Sequence, residues 1–263
     1  MKAAAKVYFK LVRASLRSLM QYRFSFLFSL LVNVIVTVAD FLVILAILYN
    51  FRSIGGWNTA QIATLYGVAT VALGLYRAFG SELQNFQNYI VAGEFDGLLL
   101  RPWPTLLVLL SRRVELFRLG AVLQGYTALV IGLAYLGGPA EFGINYFYML
   151  ILPILSSGIF FAISIATASV AFWTGRIREL QTFTIYGPST AASYPTAIYP
   201  GWIRYFLTVL PVTFVGYVPL RATLGLGGQA WHMLTPIMAS AVALAGALWL
   251  WRRGERAYHS TGS

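Results

Sequence analysis

The sequence predicts an all-α polytopic membrane protein, and three observations carry that prediction. Of 263 residues, 59% are hydrophobic and only 10% charged, whereas a soluble domain carries roughly 45–50% apolar and about 25% charged residues. The apolar residues gather in runs close to the ~20 residues a helix needs to cross a bilayer. The 19 basic residues, which give a net charge of +11, lie almost wholly between those runs. That placement is a topology signal rather than a phosphate-binding face, so no nucleic-acid partner is expected. A soluble enzyme, a disordered chain and a fibrous repeat are excluded by the same figures.

The elements follow in order. Residues 1–23 hold six basic residues and no acid. Lys2, Lys6, Lys10, Arg13 and Arg17 share one helical face opposite Val7, Leu11, Val12, Leu16 and Leu19. This predicts an amphipathic helix lying on the membrane surface. Spans are predicted over 24–49, 60–77, 119–137, 144–174, 182–198 and 231–251. Pro153 is a possible kink in the fourth span. Ala162 and Ala166, Ser164 and Ala168, and Ala239, Ala243 and Ala247 recur every four residues and favour close helix packing. Five of the ten prolines crowd into 182–228. Broken backbone there is tolerated only under a cover of protein or water. We therefore expect a re-entrant or interfacial helical pair over 201–224. Together these elements make one membrane domain over 1–263.

Charge placement tests the topology. With the N-terminus inside, 16 of the 19 cations fall inside and three (Arg52, Arg204, Arg221) outside, as the excess of cations in cytoplasmic loops requires. Both termini are then cytoplasmic, and the surface faces membrane lipid.

Several chemistries are missing. All three lysines lie within the first ten residues, so no Gly-rich loop is followed by a nucleotide-reaching Lys. The two histidines have no carboxylate at metal spacing, and cysteine is absent. No catalytic residue, cofactor site or metal site is expected on this chain. Asp40 is the one clear ionisable group within a predicted span. A functional carboxylate and a hydrogen-bonded residue near the outer end of its helix are both open readings.

The most informative segment is 81–113, SELQNFQNYIVAGEFDGLLLRPWPTLLVLLSRR. Leu83, Phe86 and Ile90 share a helical face, Gly93 breaks the helix, and Arg101-Pro102-Trp103-Pro104 prevents its resumption. We expect a short helix and elbow on the cytoplasmic surface. It should offer charges together with exposed Phe95, Leu98, Leu99, Leu100 and Trp103, a combination suited to docking a soluble partner.

Gly-Glu-Phe-Asp-x-Leu-Leu-Leu-Arg-Pro at 93–102 resembles the signature of a bacterial branch of the ABC transporter type-2 permeases. A second match runs from Tyr194-Pro195-x-x-Ile198-Tyr199-Pro200-x-Trp202-x-Arg204 through Leu210-Pro211 to Tyr217-x-Pro219. Phe95 departs mildly from the aliphatic residue common there. The resemblance implies a permease subunit of an exporter in the bacterial inner membrane, without its own ATP site. ATP and Mg would be held by separate cytoplasmic ATPase subunits, and the permease would pair with an identical or related second permease subunit. It implies that Gly93, Glu94, Asp96, Arg101 and Pro102 serve coupling to the ATPase. Tyr194, Pro195, Tyr199, Pro200, Pro211 and Pro219 would form a re-entrant gate. Two rivals remain at this point: an ion-coupled secondary transporter or channel using Asp40, and a non-transporting scaffold that recruits an ATPase.

Overall fold

In the computed structural model, the described residues are 53–259 together with 24, 27, 28, 31, 32, 34–36, 38, 39 and 42, the latter group helical and exposed. The expected surface helix at 1–23, Asp40 and most of the first expected span lie outside the described residues.

The described chain opens with a feature that the all-α reading lacked. Strands β1 (Ser53–Ile54) and β2 (Trp57–Asn58) pair antiparallel, Ile54 opposite Trp57. Gly55 and Gly56, at φ +59° and +81°, supply the left-handed backbone that a two-residue hairpin turn demands. Asn58 then caps helix α1 (Thr59–Gly80). The Gln61 N–H donates to Asn58 Oδ1 at 2.9 Å, and the Asn58 N–H donates to Gln61 Oε1 at 2.9 Å. Two donors orphaned at the helix start are thereby satisfied.

Helix α1 is followed by a 3-10 turn (Ser81–Asn85), α2 (Phe86–Val91), α3 (Asp96–Leu99) and α4 (Thr105–Arg112). Next come α5 (Leu119–Tyr135), α6 (Gly138–Phe142) and the 31-residue α7 (Ile144–Thr174), which runs unbroken through Pro153. After α8 (Arg178–Gln181), a π-helical turn (Thr182–Tyr186) leads into α9 (Gly187–Ala191). The last helices are α10 (Gly201–Val209), α11 (Tyr217–Thr223) and α12 (Thr235–Ala257).

Among the described residues, four helical stretches are long and apolar enough to cross a membrane: Thr59–Val91, Leu116–Tyr135, Ile144–Thr174 and Ala230–Ala257. Among the described residues, a fifth stretch passes the same test only as a pair, Gly201–Val209 with Val212–Thr223, bent by 78° about Pro211. The segment 182–198 contains no long helix. Pro188 lacks the N–H that would bond one turn back, and the Gly187 N–H reaches five residues back to the Thr182 carbonyl instead.

The long helices stand in a row, α5–α1–α7–α12. The most apolar stretch of Thr59–Val91 is 72% buried and that of Ala230–Ala257 only 17%, so α1 is central and α12 peripheral. Hydroxyls on α7 close locally: Ser156, Thr167 and Ser169 each donate to the carbonyl four residues back at 2.7–2.8 Å. That lets polar side chains sit in an apolar bundle. The small-residue stripes do pack. Ala162, Ser164, Ala168 and Ala247 are buried, and Ser240 Oγ donates to the Leu155 carbonyl at 3.0 Å across the α7–α12 seam.

Candidate functional site

The elbow is built from local backbone chemistry. Gly93, at φ +69°, ends α2 in the left-handed conformation that costs glycine least. The Gly93 N–H donates to the Ile90 carbonyl and the Phe95 N–H to the Tyr89 carbonyl at 3.1 Å, which closes the last turn of α2. After α3, residues 101–104 are non-helical, and α4 resumes behind Pro104, whose carbonyl accepts from the Val108 N–H at 3.1 Å.

The structure corrects the expectation of a generally exposed apolar elbow. Phe95 and Leu98 are fully buried, and Trp103 packs partly against the same core. Phe95 meets Phe86, Phe172 and Tyr258 edge-on, with ring centroids 5.6, 5.1 and 4.9 Å away. Trp251 completes the group, 4.7 Å from Phe86 and 5.2 Å from Phe172. Edge-to-face pairs at such separations add stabilisation beyond area burial. The partners come from α2, the end of α7 and α12, so one ring moors the elbow to three elements. What faces outward is Leu99, 46% exposed, and Leu100, 87% exposed, with Arg101 and Pro102 beside them.

Of the expected coupling residues, Glu94 lies 4.0 Å from Arg112 as an exposed pair. Pairs of that kind contribute about 0–1 kcal/mol. Asp96 acts on Tyr258: burial first, and then the Asp96 carboxylate at its hydroxyl, hold that phenol above its usual pKa. The guanidinium of Arg112 stands over the Tyr89 ring at 5.1 Å, and the Tyr89 hydroxyl donates to buried Glu82. At the far side of the elbow, Thr105 donates to Glu255 of α12, which also accepts from Trp251 Nε1 at 2.9 Å.

Two buried acids, Glu82 and Glu115, escaped the sequence reading. Glu115 accepts from Arg118 and lies 3.0 Å from Arg113, while its N–H donates to the Ala78 carbonyl at 2.9 Å. The segment entering α5 is thus tied to the end of α1. The spacing Arg112-Arg113-x-Glu115-x-x-Arg118 was the available signal, but burial depends on Ala78, which is distant in sequence. Both arginines are partly solvated, so Glu115→Gln should cost only about 1 kcal/mol. A shift of a few degrees in the thermal midpoint of the purified protein checks this.

The expected gate residues gather at the other end of α1, about 33 Å away at 1.5 Å per residue. Pro195 and Pro219 are buried, Tyr194, Tyr199 and Pro211 half-buried, and Pro200 exposed. Gly55 abuts Ile198 so closely that a Cβ would stand 2.8 Å from it. Trp57 stacks on Tyr217 at 5.6 Å, and Arg204 Nη2 donates to the carbonyls of Ala197 and Tyr199 at 3.0 and 3.4 Å. Ser156 Oγ also lies 2.6 Å from the Val215 carbonyl, between which and the Leu152 carbonyl its one proton is shared, and this ties the bend to α7. The elbow therefore sits where α1 and α7 end, and the bend packs against the first half of both helices, at Leu65, Val68 and Ser156. Among the described residues no three His, Asp or Glu side chains lie together as a metal site would require.

Comparison with known proteins agrees with this architecture. The family profile described as "ABC-2 family transporter protein" matches residues 34–262, which spans the long helices, the elbow and the bend. No curated protein and no solved structure matches the chain.

Proposed function

The chain belongs to the ABC-2 transporter family, and from that premise we propose that it is the permease subunit of an ATP-driven exporter in a bacterial inner membrane. Membership makes it a multi-pass transport subunit of a kind that works with ATPase subunits. The finer reading is the following. Two permease subunits, identical or related, stand on two cytoplasmic ATPases that hold ATP and Mg. Six spans, including 24–49 and the broken segment 182–198, place both termini in the cytoplasm. Residues 1–23 lie on the membrane surface, and 201–224 re-enters from the outer side without crossing.

The observation that supports coupling at the elbow is the division of α3. Its buried side, Phe95 and Leu98, is locked into the bundle, while Leu99 and Leu100 protrude beside Arg101. Leu99, Leu100, Arg101 and Pro102 form one continuous outward-facing stretch, apolar at one end and charged beside it, and to this stretch we assign the partner. ATP binding would draw the ATPases together, and the mooring of Phe95 would pass that displacement to α1, α7 and α12. The drive is the difference in ATP affinity between the two states. Gly93 and Pro102 set the shape of the elbow, and Glu94, Asp96 and Arg101 supply its polar contacts. Tyr194, Pro195, Tyr199, Pro200, Pro211 and Pro219 shape the outer gate.

Affinity purification of the full chain from native membranes should bring down an ATP-binding cassette ATPase. Leu100→Asp should lower that recovery about tenfold or more, the cost of burying an unpaired charge in an apolar contact, with an unchanged size-exclusion profile. If no ATPase accompanies the wild type, the transporter reading fails. If Leu100→Asp and Arg101→Ala both retain it in full, the elbow assignment fails.

A further inference from the structure

Helix α7 ends at Thr174, where Gly175, at φ +67°, turns the chain. Arg176, Ile177 and Arg178 follow. Ile177 is buried, and its N–H donates to Gln87 Oε1 at 3.0 Å, which pins this turn against α2. The arginines on either side of it are exposed. Between them and α2 lies an open cavity of about 450 Å³ lined by Gln87, Asn88, Val91, Ala92, Arg176, Arg178 and Glu179. Its polar character is dominated by donors. Each guanidinium offers five N–H groups in a planar fork that matches phosphate oxygens, and Gln87 and Asn88 add amide N–H groups. Glu179 is the single carboxylate in the lining, which leaves it net positive. Among the described residues neither Arg176 nor Arg178 forms an ion pair.

The depth of this cavity selects the ligand. It begins within a turn of the last residue of the 31-residue α7, whose length of about 46 Å matches hydrocarbon and headgroup layers together, which sets that end at headgroup level. Trp173, half exposed at that boundary, is a residue type that settles at headgroup level. Val91, 67% exposed, lines the cavity with Ala92 and adds apolar surface beside the arginines. A soluble anion has no use for that apolar surface, whereas a lipid places its phosphate on the arginines and the start of its acyl chains along Val91 and Ala92. The lining shares no residue with the protruding Leu99 and Leu100. We propose that this cleft binds the headgroup phosphate of an anionic phospholipid, from the leaflet on the elbow's side. The proposal rests only on the chain spanning a membrane, not on its being coupled to an ATPase.

The test uses the full chain in nanodiscs of phosphatidylcholine doped with labelled phosphatidylglycerol, followed by transfer to mild detergent and measurement of retained lipid. The wild type should retain phosphatidylglycerol over phosphatidylcholine. At about 1 kcal/mol per cation near a membrane surface, retention should fall about 5-fold in Arg176→Gln or Arg178→Gln and about 30-fold in the double variant. The Lys/Lys variant should recover part of it, and Arg252→Gln on α12 should change nothing. Size-exclusion profiles identical to wild type establish that the variants fold. Equal retention of both lipids, or undiminished retention in the double variant, overturns the proposal. So does displacement of the lipid by millimolar inorganic phosphate, which would make the site one for soluble anions. Loss of a co-purifying ATPase with lipid retention intact would instead give the cleft to a protein partner.

Discussion

Gly125→Leu is expected to leave almost no folded, monodisperse protein in detergent. The α1–α5 pair is held at backbone contact by glycines spaced seven residues apart on each helix: Gly67 and Gly74 on α1, Gly125 and Gly132 on α5. A Cβ added to Gly125 would stand 2.9 Å from the Val71 nitrogen, and one on Gly67 would stand 2.6 Å from the Leu129 nitrogen. At Gly132 it would meet the Ala60 carbonyl and the Thr64 nitrogen, each at 2.8 Å. Overpacking a core whose side chains can move costs about 1–3 kcal/mol. Here the obstructing atoms are backbone, so a leucine must part the helices. Inside a bilayer no water is expelled to offset lost van der Waals contact. A cost above about 3 kcal/mol follows, large against the ~5–15 kcal/mol of a typical fold. Gly125→Ala should fall between wild type and Leu in thermal midpoint. Gly97→Ala on α3, where nothing lies within 4 Å and φ is ordinary, should be neutral or slightly stabilising. A wild-type midpoint in Gly125→Leu would refute the close-packed seam.

This seam shows where sequence reasoning stops. The seven-residue glycine spacing stands in the sequence, but α1 and α5 are joined only through the distant elbow, and nothing local says that they touch back to back. The alanine and serine stripe of α7 was legible because it repeats every four residues within one helix. The hairpin at Ser53–Asn58 carried a local sign, Gly55-Gly56 between Ile54 and Trp57, that was overlooked inside an apolar sequence. Around Pro188 the crowding of prolines announced broken helix, yet the choice of a π-helical turn depends on which carbonyl the Gly187 N–H finds.

The elbow divides along the same line. The break at Gly93 and the stop at Pro102–Pro104 are backbone chemistry and could be read from residue type alone. Which apolar residues turn inward could not. Phe95 and Leu98 are buried because Phe172, Trp251 and Tyr258 return to the same place from segments 77 to 163 residues further along. Glu82 and Glu115 have side-chain partners close in sequence, Tyr89 and Arg118, but the bond from the Glu115 N–H to the Ala78 carbonyl is one that a linear reading cannot supply. Charge counting, by contrast, survives any packing, which is why the multi-pass membrane character was legible from composition.

The second large effect is expected at Phe95. Phe95→Ala removes a fully buried ring that touches Phe86, Phe172 and Tyr258, a change that costs about 3–5 kcal/mol in a close-packed core. The loss should fall mainly on the elbow. The row α5–α1–α7–α12 keeps its own seams, including Ser240 to Leu155 and the glycine contacts of α1 with α5. The expected result is therefore a chain that still inserts and purifies but whose α3 is released, measured as faster amide exchange over 93–104 with protection in α1 and α7 retained. In the proposed complex the ATPase would still find Leu100 on the surface, yet its displacement would no longer reach the spans. ATP hydrolysis should then persist while its dependence on the permease is lost. Phe95→Leu keeps most of the volume and should recover most of the exchange protection, because the cavity rather than the ring chemistry carries the larger part of the cost. Unchanged exchange over 93–104 in Phe95→Ala would show that the elbow is held by its polar contacts, Glu94–Arg112 and Thr105–Glu255, and the role assigned to the buried ring would fall.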